Sequence, residues 1–290
     1  KKLQLDFYEK NFKSSLKKNL SNKKFILVKK LETINSQVYI ICIGSDVKNN
    51  KISNKNLISI IQKISKKIKP GDLIIMRGTV QVGVCRNLVV PLLEKNSNLK
   101  CGIDFFFSYL PERIIEGDAL YELENMAQIV SGFSKNCKDK AMEFCSKSFK
   151  SLVELDSMEE GEIIKLGSNS YRDLSFAFAN EISRISSYYG LSGNSLIKKA
   201  NLGYPRNSIA KPSMGVGGFC LPKDPFLFSK LFKLKKKGFI LGKNSRYINV
   251  NSIDHVFNQV KKFINKNIKI KKPKIVILGT TFKGNPETID

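Results

Sequence analysis

The apolar residues in the first half of the chain form short runs separated by amphipathic stretches. The runs VYIICI (38–43), LIIM (73–76) and FFFSYL (105–110) have the length and character of strands buried on both faces. Between the first two runs, apolar residues recur at helical spacing until Pro70-Gly71 ends the helix. These residues are Leu57, Ile60, Ile61, Ile64 and Ile68. The pattern predicts a doubly wound α/β domain built on a parallel sheet.

The second half of the chain has a different periodicity. From about Met158 to Gly190, more than thirty residues follow without proline and with apolar residues at helical spacing, which predicts one long helix. Further helices are expected to about Asn267. The stretch KKPKIVILGTTFKG then predicts a new strand and turn. Because a lone strand cannot bury itself, we expect the chain to be cut inside a further domain.

Composition and charge narrow the possible partners. The chain has 290 residues, 42% of them hydrophobic, and a formal net charge of +25. Only seven of the 50 basic residues are arginine, the residue that base and bidentate phosphate contacts favour, so we do not expect specific nucleic-acid binding. The positive field would still attract a small anionic substrate. No apolar run approaches the ~20 residues that span a bilayer, so no membrane segment is predicted.

Cysteine usage indicates a reducing compartment. The six cysteines, at positions 42, 85, 101, 137, 145 and 220, form neither C-x-x-C pairs nor a cluster with histidine. We therefore expect no disulfide framework and no metal site, and we expect a cytoplasmic protein.

The stretch KPSMGVGGFCLPKD (211–224) is the first candidate for chemistry. Three glycines precede Cys220, and they predict a loop that takes positive φ or approaches another group closely; they are Gly215, Gly217 and Gly218. Asp224 followed by Pro225 is a typical helix start in which the aspartate caps the helix. The thiol would then lie near a helix N-terminus, which favours the thiolate. The alternative is a glycine turn beside a buried structural cysteine.

Other candidates lie elsewhere in the chain. Lys165 and Asn169 are four residues apart on the predicted long helix and therefore share a face. Glu112 and Glu116, in LPERIIEGDAL, have the same spacing. Thr79 follows the predicted strand LIIM, where open α/β sheets bind ligands. Taken singly, each also fits a solvated side chain or ordinary turn chemistry.

Together and in this order, these stretches resemble the UDP-glucose/GDP-mannose (nucleotide-sugar) 6-dehydrogenases, which are NAD-dependent. The resemblance spans nearly the whole chain and is carried by KPGDLIIMRGTV, LPERIIEG, EIIKLGSNSYRD, YPRNSIAKPSMGVGGFCLPKD and VILGTTFKG. The stretches SYRD, FANE and PRNSI are more similar to the UDP-N-acetyl-D-mannosamine and UDP-N-acetyl-D-glucosamine branch than to the UDP-glucose branch.

The resemblance implies a four-electron oxidation of the C6 alcohol of a UDP-sugar, through an aldehyde and a Cys220 thiohemiacetal and thioester. It implies that Lys165 is the charge partner of the thiolate and of the developing oxyanion. Asn169 would donate a hydrogen bond to the same oxygen. Proton transfer and positioning of the hydrolytic water would fall to three other residues, namely Asp224, Glu112 and Thr79.

The resemblance also implies the binding residues. Arg206 and Lys211 would meet the anionic part of the sugar nucleotide. The remaining substrate contacts would come from Gly217, Gly218 and Glu116, and NAD would contact Thr79 and Ser45.

The resemblance further implies three domains. Residues 1–150 would be the remnant of an N-terminal NAD-binding Rossmann domain, 151–268 a helical substrate and dimerisation domain, and 269–290 the beginning of a C-terminal UDP-binding domain. We expect a homodimer through the long helix. The family's glycine fingerprint G-x-G-x-x-G is not found in these 290 residues, and Gly44-Ser45-Asp46 replaces a usual proline-threonine pair. We therefore expect the N-terminal end of the domain to be missing as well.

Other functions remain open from the residues alone. A UDP-glucose 6-dehydrogenase would share the covalent chemistry. A β-hydroxyacid dehydrogenase also combines a Rossmann domain with a long helix and a catalytic lysine, but it gives Cys220 no task, so iodoacetamide would leave it active. A non-catalytic basic dimerisation or nucleic-acid-binding module would show strongly salt-dependent binding to random DNA.

Overall fold

The computed structural model describes residues 9–31, 35–115, 117–234, 238–270 and 272–278. These residues form two compact units. The first contains the described residues up to Lys165 together with Phe232–Leu234, and the second contains Leu166–Leu231 and the described residues from 238 onwards. The predicted domain boundaries at 150 and 268 stay predictions.

The first unit alternates strands and helices. In chain order it contains α1 (Phe12–Ser21), β1 (Val38–Ile41), β2 (Asp46–Lys48), β3 (Lys51–Ser53), α2 (Lys55–Ser65), β4 (Leu73–Met76), a π-helical turn (Cys85–Val89), α3 (Val90–Ser97), β5 (Phe106–Tyr109), α4 (Ala119–Asn125), β6 (Gln128–Gly132), α5 (Lys135–Ser146), β7 (Leu152–Glu154) and the first two turns of α6 (Met158–Tyr188). The three predicted strands are present as β1, β4 and β5.

Within the described residues, one sheet has the strand order β1-β4-β5-β6-β7, and β2 and β3 form a separate hairpin. The strands β1, β4 and β5 pair in parallel, which confirms the Rossmann-type sheet. Beside these strands, β6 runs antiparallel to β5, and β7 follows β6 in parallel, a direction that the sequence did not predict. A parallel β6 would need a crossover back to the opposite edge of the sheet. The connection through the seven-residue α4 instead brings β6 in beside the carboxyl end of β5.

The central strand β4 is buried on both faces. Ile74 and Met76 face the apolar cluster that includes Leu57 and Leu93, from α2 and α3. On the opposite face, Leu73 and Ile75 belong to a second cluster, together with Val130, Ala141 and Cys145. All four β4 residues are at most 2% exposed, as predicted for a continuous apolar run in a sheet covered on both sides.

The second unit is helical in its described residues. It contains the rest of α6, then α7 (Gly193–Asn201), α8 (Asp224–Phe228) and α9 (Leu241–Asn267). The prediction of one long helix is confirmed, since α6 runs for 31 residues. No helix in the described part of the chain is long and apolar enough to cross a membrane.

The predicted C-terminal strand is not formed in the described residues. Residues 272–278 have no helix or strand, and Ile275 to Leu278 are 61–92% exposed. A strand needs a neighbour for its backbone hydrogen bonds. The rest of the predicted domain, residues 279–290, lies outside the described residues.

Candidate active site

The long helix α6 carries a row of buried polar side chains. Five of them follow one another at spacings of three, four, four and seven residues, which places them on one side of the helix. None is more than 9% exposed; they are Glu162, Lys165, Asn169, Asp173 and Asn180. Because buried charged and amide groups need hydrogen-bonding partners, this polar stripe indicates that α6 organises polar contacts along its length.

The contact between Asn169 and Asp224 joins α6 to the cysteine turn. Asn169 Nδ2 donates to Asp224 Oδ2 at 2.6 Å, and Asp224 is fully buried at the first position of α8. Asp224 and Pro225 do start a helix, but the prediction that the aspartate side chain caps it is wrong. Its carboxylate is directed towards α6 instead, where the Asn169 amide binds it.

The same turn presents Cys220. The carbonyl oxygen of Cys220 accepts from the backbone N–H groups of Lys223 and Asp224, at 3.1 and 2.9 Å. Gly218, two residues before the cysteine, has φ of +90°, a conformation that favours glycine. The Cys220 thiol is free and exposed, which does not fit the alternative of a buried structural cysteine.

Lys165 and Glu112 meet in the first unit. Lys165 Nζ donates to the main-chain carbonyl of Glu112. The Glu112 carboxylate pairs with Arg77 and accepts from the backbone N–H groups of Arg113 and Ile114, at 2.9 and 3.1 Å. Burial opposes ionisation, but the Arg77 guanidinium and these N–H donors hold the pKa of Glu112 below its ordinary value. Glu112 is therefore a carboxylate at neutral pH, and it binds a proton less tightly than an ordinary glutamate.

Thr79 and Ser45 lie on the loops that follow β4 and β1. The Ser45 N–H donates to the Thr79 carbonyl at 2.8 Å, and the backbones are so close that a Cβ on Gly44 would lie 2.1 Å from the same oxygen. Ser45 is buried, and its hydroxyl donates to Asn54 Oδ1 at 2.8 Å. Both loops leave the carboxyl ends of neighbouring parallel strands, where open α/β sheets bind their ligands.

The predicted anion-binding residues are exposed in the second unit. Arg206 stacks on the Tyr204 ring, 4.5 Å from its centroid, and lines a cleft of about 330 Å³ with Tyr171 and Phe178. Lys211 is exposed. Gly217 is also open, since an added Cβ would meet no atom within 4 Å. The predicted substrate residue Glu116 lies outside the described residues.

Sequence reasoning missed several residues that support this site. Among them, Arg77 pairs with Glu112, and Arg246 pairs with Asp173 at 2.6 Å. The polar stripe of α6 could have been found, because polar residues at i, i+3, i+7 and i+11 of a long helix share a face. Arg246 could not, because it is 73 residues away from Asp173. The described residues contain no group of three or more histidine, cysteine, aspartate or glutamate side chains able to hold a metal ion.

Comparison with known proteins gives the family. Residues 1–150 match the NAD binding domain of the UDP-glucose/GDP-mannose dehydrogenase family, and residues 159–251 match its central domain. The chain is 30% identical to UDP-N-acetyl-D-mannosamine dehydrogenase of Pyrococcus horikoshii over 94% of this chain and 64% of that protein. The corresponding enzyme of Campylobacter jejuni is 31% identical over 86% of this chain and 61% of that protein.

Solved structures agree with these relatives. The UDP-D-ManNAc dehydrogenase structure from Pyrococcus horikoshii superimposes with a TM-score of 0.84 and 28% identity over 90% of this chain and 62% of that chain. The structure of the UDP-N-acetyl-mannosamine dehydrogenase Cap5O of Staphylococcus aureus superimposes with a TM-score of 0.83 and 26% identity, over 99% of this chain and 66% of that chain. This chain thus spans less than two thirds of the length of the curated relatives named above. The matched domains and the site geometry lead to one conclusion: the chain belongs to the UDP-glucose/GDP-mannose dehydrogenase family.

Proposed function

We propose that this chain acts in the NAD-dependent, four-electron oxidation of the C6 alcohol of a UDP-N-acetylhexosamine to the uronate. The observation that carries the proposal is the hydrogen bond between Asn169 and Asp224. It ties the polar stripe of α6 to the turn that presents an exposed cysteine. The names of the relatives support an N-acetylmannosamine as the sugar.

Covalent chemistry at Cys220 explains how an alcohol reaches the acid. After the first oxidation, Cys220 Sγ forms a bond to the aldehyde carbon, and the aldehyde oxygen takes up a proton to give a thiohemiacetal. Loss of a hydride and a proton from this adduct gives a thioester. Water then attacks the thioester carbon and releases the carboxylate and the thiol. The complete oxidation of one alcohol to the carboxylate consumes one water molecule and two hydride acceptors.

The other predicted catalytic side chains have separate roles in this proposal. Lys165 stabilises the thiolate and the oxyanion by its charge, and Asn169 donates a hydrogen bond to the oxyanion. Asp224 holds the Asn169 amide in place and accepts a proton from water. By the family resemblance, ionised Glu112 acts as a proton acceptor, and Thr79 orients the hydrolytic water.

NAD would supply the acceptor for both hydrides. The chain offers Thr79, half-buried at the carboxyl edge of β1 and β4, where a nicotinamide nucleotide fits a Rossmann-type sheet. Ser45 fits a supporting role there, because its hydroxyl and N–H are both used within the loops. A turn of the form G-x-G-x-x-G for the pyrophosphate is not found in these 290 residues.

Substrate binding is assigned to the exposed groups of the second unit. Arg206 can bind a phosphate with two parallel hydrogen bonds, and Lys211 adds a second positive charge. The open space at Gly217 and the positive φ of Gly218 let the sugar approach the loop before Cys220. The proposed role of Glu116 as a substrate contact rests on the family resemblance alone.

Counting the products tests the proposal. Purified full-length protein given NAD and UDP-N-acetyl-D-mannosamine should form two NADH per sugar, while UDP-glucose, tested in parallel, should react more slowly. Cys220→Ser should form at most one NADH per sugar, from the first oxidation, because a serine hydroxyl is almost entirely protonated near neutral pH and attacks the aldehyde poorly. Cys42→Ser, which removes the other exposed thiol, is the matched control and should behave as wild type. Two NADH per sugar from Cys220→Ser would contradict covalent catalysis.

A test without NAD uses the aldehyde directly. The UDP-sugar 6-aldehyde should protect Cys220, and not Cys42, from iodoacetamide, because only Cys220 forms the thiohemiacetal. Equal alkylation of both thiols with and without the aldehyde would favour a β-hydroxyacid dehydrogenase, which gives Cys220 no role.

We also propose a homodimer formed through α6. The exposed apolar residues Tyr171, Phe178 and Ile185 recur every seven residues along α6. The helix α9 exposes a further apolar row, and a cleft of about 500 Å³ lies between α6 and α9; the row contains Tyr247, Val250, Ile253, Phe257, Val260 and Phe263. A two-fold axis would pair these self-complementary rows with those of a second copy.

Sedimentation measures the dimer. Wild type should sediment as a dimer at micromolar concentration, and Phe178→Glu should shift it to a monomer. Tyr121→Glu, which changes another exposed aromatic residue, on α4, should remain dimeric. A monomeric wild type would rule out this part of the proposal.

The cysteines support a reducing, cytoplasmic location. All six are free thiols, and no disulfide joins Cys101 and Cys137, whose sulfurs are 3.9 Å apart. Protein purified without added reductant from the cytoplasm should titrate six thiols, and a lower count would contradict the proposal.

A further inference from the structure

We propose that Asp173, Asn180, Arg246 and Asn249 form a positioning network that fixes the loop leading to Cys220, and that this network controls the step that needs the thiol. The catalytic part of this inference rests on the proposed function. These four residues lie on α6 and α9, in the second unit.

The centre of the network is the fully buried carboxylate of Asp173. It accepts hydrogen bonds from three groups of α9, at 2.7, 2.6 and 2.9 Å: Ser245 Oγ, Arg246 Nη1 and Asn249 Nδ2. Asn249 Oδ1 in turn accepts from Asn180 Nδ2 at 3.0 Å. The charge of Asp173 is therefore balanced by Arg246, as a buried carboxylate requires.

The network reaches the loop through its main chain. The Asn180 side-chain oxygen accepts from the Ser213 N–H at 2.8 Å. Arg246 donates from both Nη1 and Nη2 to the Val216 carbonyl, at 3.2 Å each. Ser252 adds a longer contact of 3.3 Å to the Met214 carbonyl. Three backbone groups within four residues are thus held by α6 and α9.

The loop changes character immediately after Val216. Gly217 has open space around its Cα, Gly218 takes a positive φ, and Phe219 is 80% exposed. The next fixed point is the Cys220 carbonyl, in the turn that leads to Asp224. The direction in which the thiol is presented therefore depends on where Val216 is held.

Arg246 is the residue that couples the buried charge to the loop. Its planar guanidinium binds the Asp173 carboxylate and the Val216 carbonyl at the same time. A lysine ammonium carries the same charge, but it has no rigid fork with which to hold two acceptors in a fixed geometry. Asp173 and Arg246 act through Cys220 and are positioning residues.

Arg246→Lys separates this role from general stability. A trifluoromethyl label on Cys220, in a Cys42→Ser background, reports the order of the loop by ¹⁹F NMR without any substrate. Because the other four cysteines are buried, Cys220 is the thiol that reacts. We expect one resonance displaced from the free-label value in the parent, and a shift towards the free-label value with a narrower line in Arg246→Lys.

The control is Arg184→Lys, which alters a half-exposed arginine of α6 that pairs with Glu181. It should leave the resonance unchanged. If Arg246→Lys does not fold, Ser252→Ala decides the matter. It removes the contact to the Met214 carbonyl together with a hydrogen bond to the main-chain carbonyl of Asn249 on the same helix, and it should move the resonance in the same direction by less. A folded Arg246→Lys, or failing that a folded Ser252→Ala, with an unchanged resonance would overturn the proposal.

Turnover provides the second readout. If Cys220 is needed only after the first oxidation, Arg246→Lys should raise the ratio of released aldehyde to acid by about tenfold or more, while the KM for the UDP-sugar stays within about twofold. A purely structural role would lower the yield of folded protein and leave this ratio unchanged. No NADH from wild type contradicts the proposed function, and the ¹⁹F result then decides the network by itself.

Discussion

Two buried carboxylates on α6 hold two loops in different ways. Glu162 is fully buried and accepts from the backbone N–H groups of Gly83 and Cys85, at 2.5 and 2.9 Å, on the loop that follows β4 and contains Thr79. Asp173, eleven residues later, is also fully buried but is paired with an arginine. One loop is held by partial charges of the backbone and the other through a full ion pair.

The Glu162 anchor responds to pH. Burial raises the pKa of Glu162 to about 7, against the opposing effect of its two backbone donors, and the negative charge of Glu159 adds to the rise. Hydrogen bonds from neutral amides therefore do not fully replace the water that the carboxylate has lost. We infer that the Thr79 loop has an anchor that titrates near neutrality.

The largest expected effect is that of Asp173→Ala. The substitution leaves Arg246, Ser245 and Asn249 without their shared acceptor in a buried site. We expect the free energy of unfolding to fall by about 3–5 kcal/mol, because removing one partner of a buried ion pair leaves the other charge uncompensated. Urea unfolding near neutral pH measures the change.

The matched control for this change is Asp139→Ala, which removes an exposed carboxylate paired with Lys135 on α5. It should cost less than about 1 kcal/mol. Equal losses from the two variants would show that Asp173 is no stronger an anchor than a surface carboxylate.

The second prediction concerns Glu162→Gln and pH. Since the folded-state pKa of about 7 lies above the ordinary 4.5, the folded state binds the proton more tightly between these values. The contribution of this group to the free energy of unfolding is thus fully present below pH 4.5. It decreases as the pH rises, and the loss reaches about 3 kcal/mol once the pH is above 7. Glu162→Gln cannot ionise, so its stability should lack this decrease.

Denaturation midpoints of the two proteins, measured at several pH values from 4.5 to 8, test the sign. The difference in stability between wild type and Glu162→Gln should shift in favour of the glutamine variant as the pH rises. A difference that shifts in favour of wild type would mean that the ionised carboxylate is the better anchor.

The third prediction compares the backbone packing of the two loops. A Cβ added at Gly44 would lie 2.1 Å from the Thr79 carbonyl oxygen, whereas one added at Gly217 meets nothing within 4 Å. Gly44→Ala must push the two loops apart and should cost about 2 kcal/mol or more. Gly217→Ala should change stability by less than about 0.5 kcal/mol. Thermal unfolding of both variants checks the contrast, and a cost at Gly217 equal to that at Gly44 would contradict it.

Local patterns were sufficient for elements whose burial depends on their own sequence. The run LIIM predicted β4 with the observed bounds, and the unbroken helical periodicity after Met158 predicted α6. The direction of β6 did not follow from its residues, because an apolar strand fits a sheet in either direction and the path of the connection decides. Asp224 shows the same limit, since a side chain suited to cap a helix was engaged by Asn169 instead.

The sequence by itself determined the candidate chemistry: the cysteine after its glycines, the lysine and asparagine four residues apart, and the alternation of strands and helices. These features depend on residue type and short spacing, which backbone geometry converts directly into loops, shared helix faces and buried strands. Tertiary structure alone decided that Arg246 balances Asp173, that Arg77 holds Glu112 ionised, and that burial raises the pKa of Glu162. Such pairings depend on distances between residues far apart in the chain and on the loss of water around them, and neither quantity is contained in a local pattern.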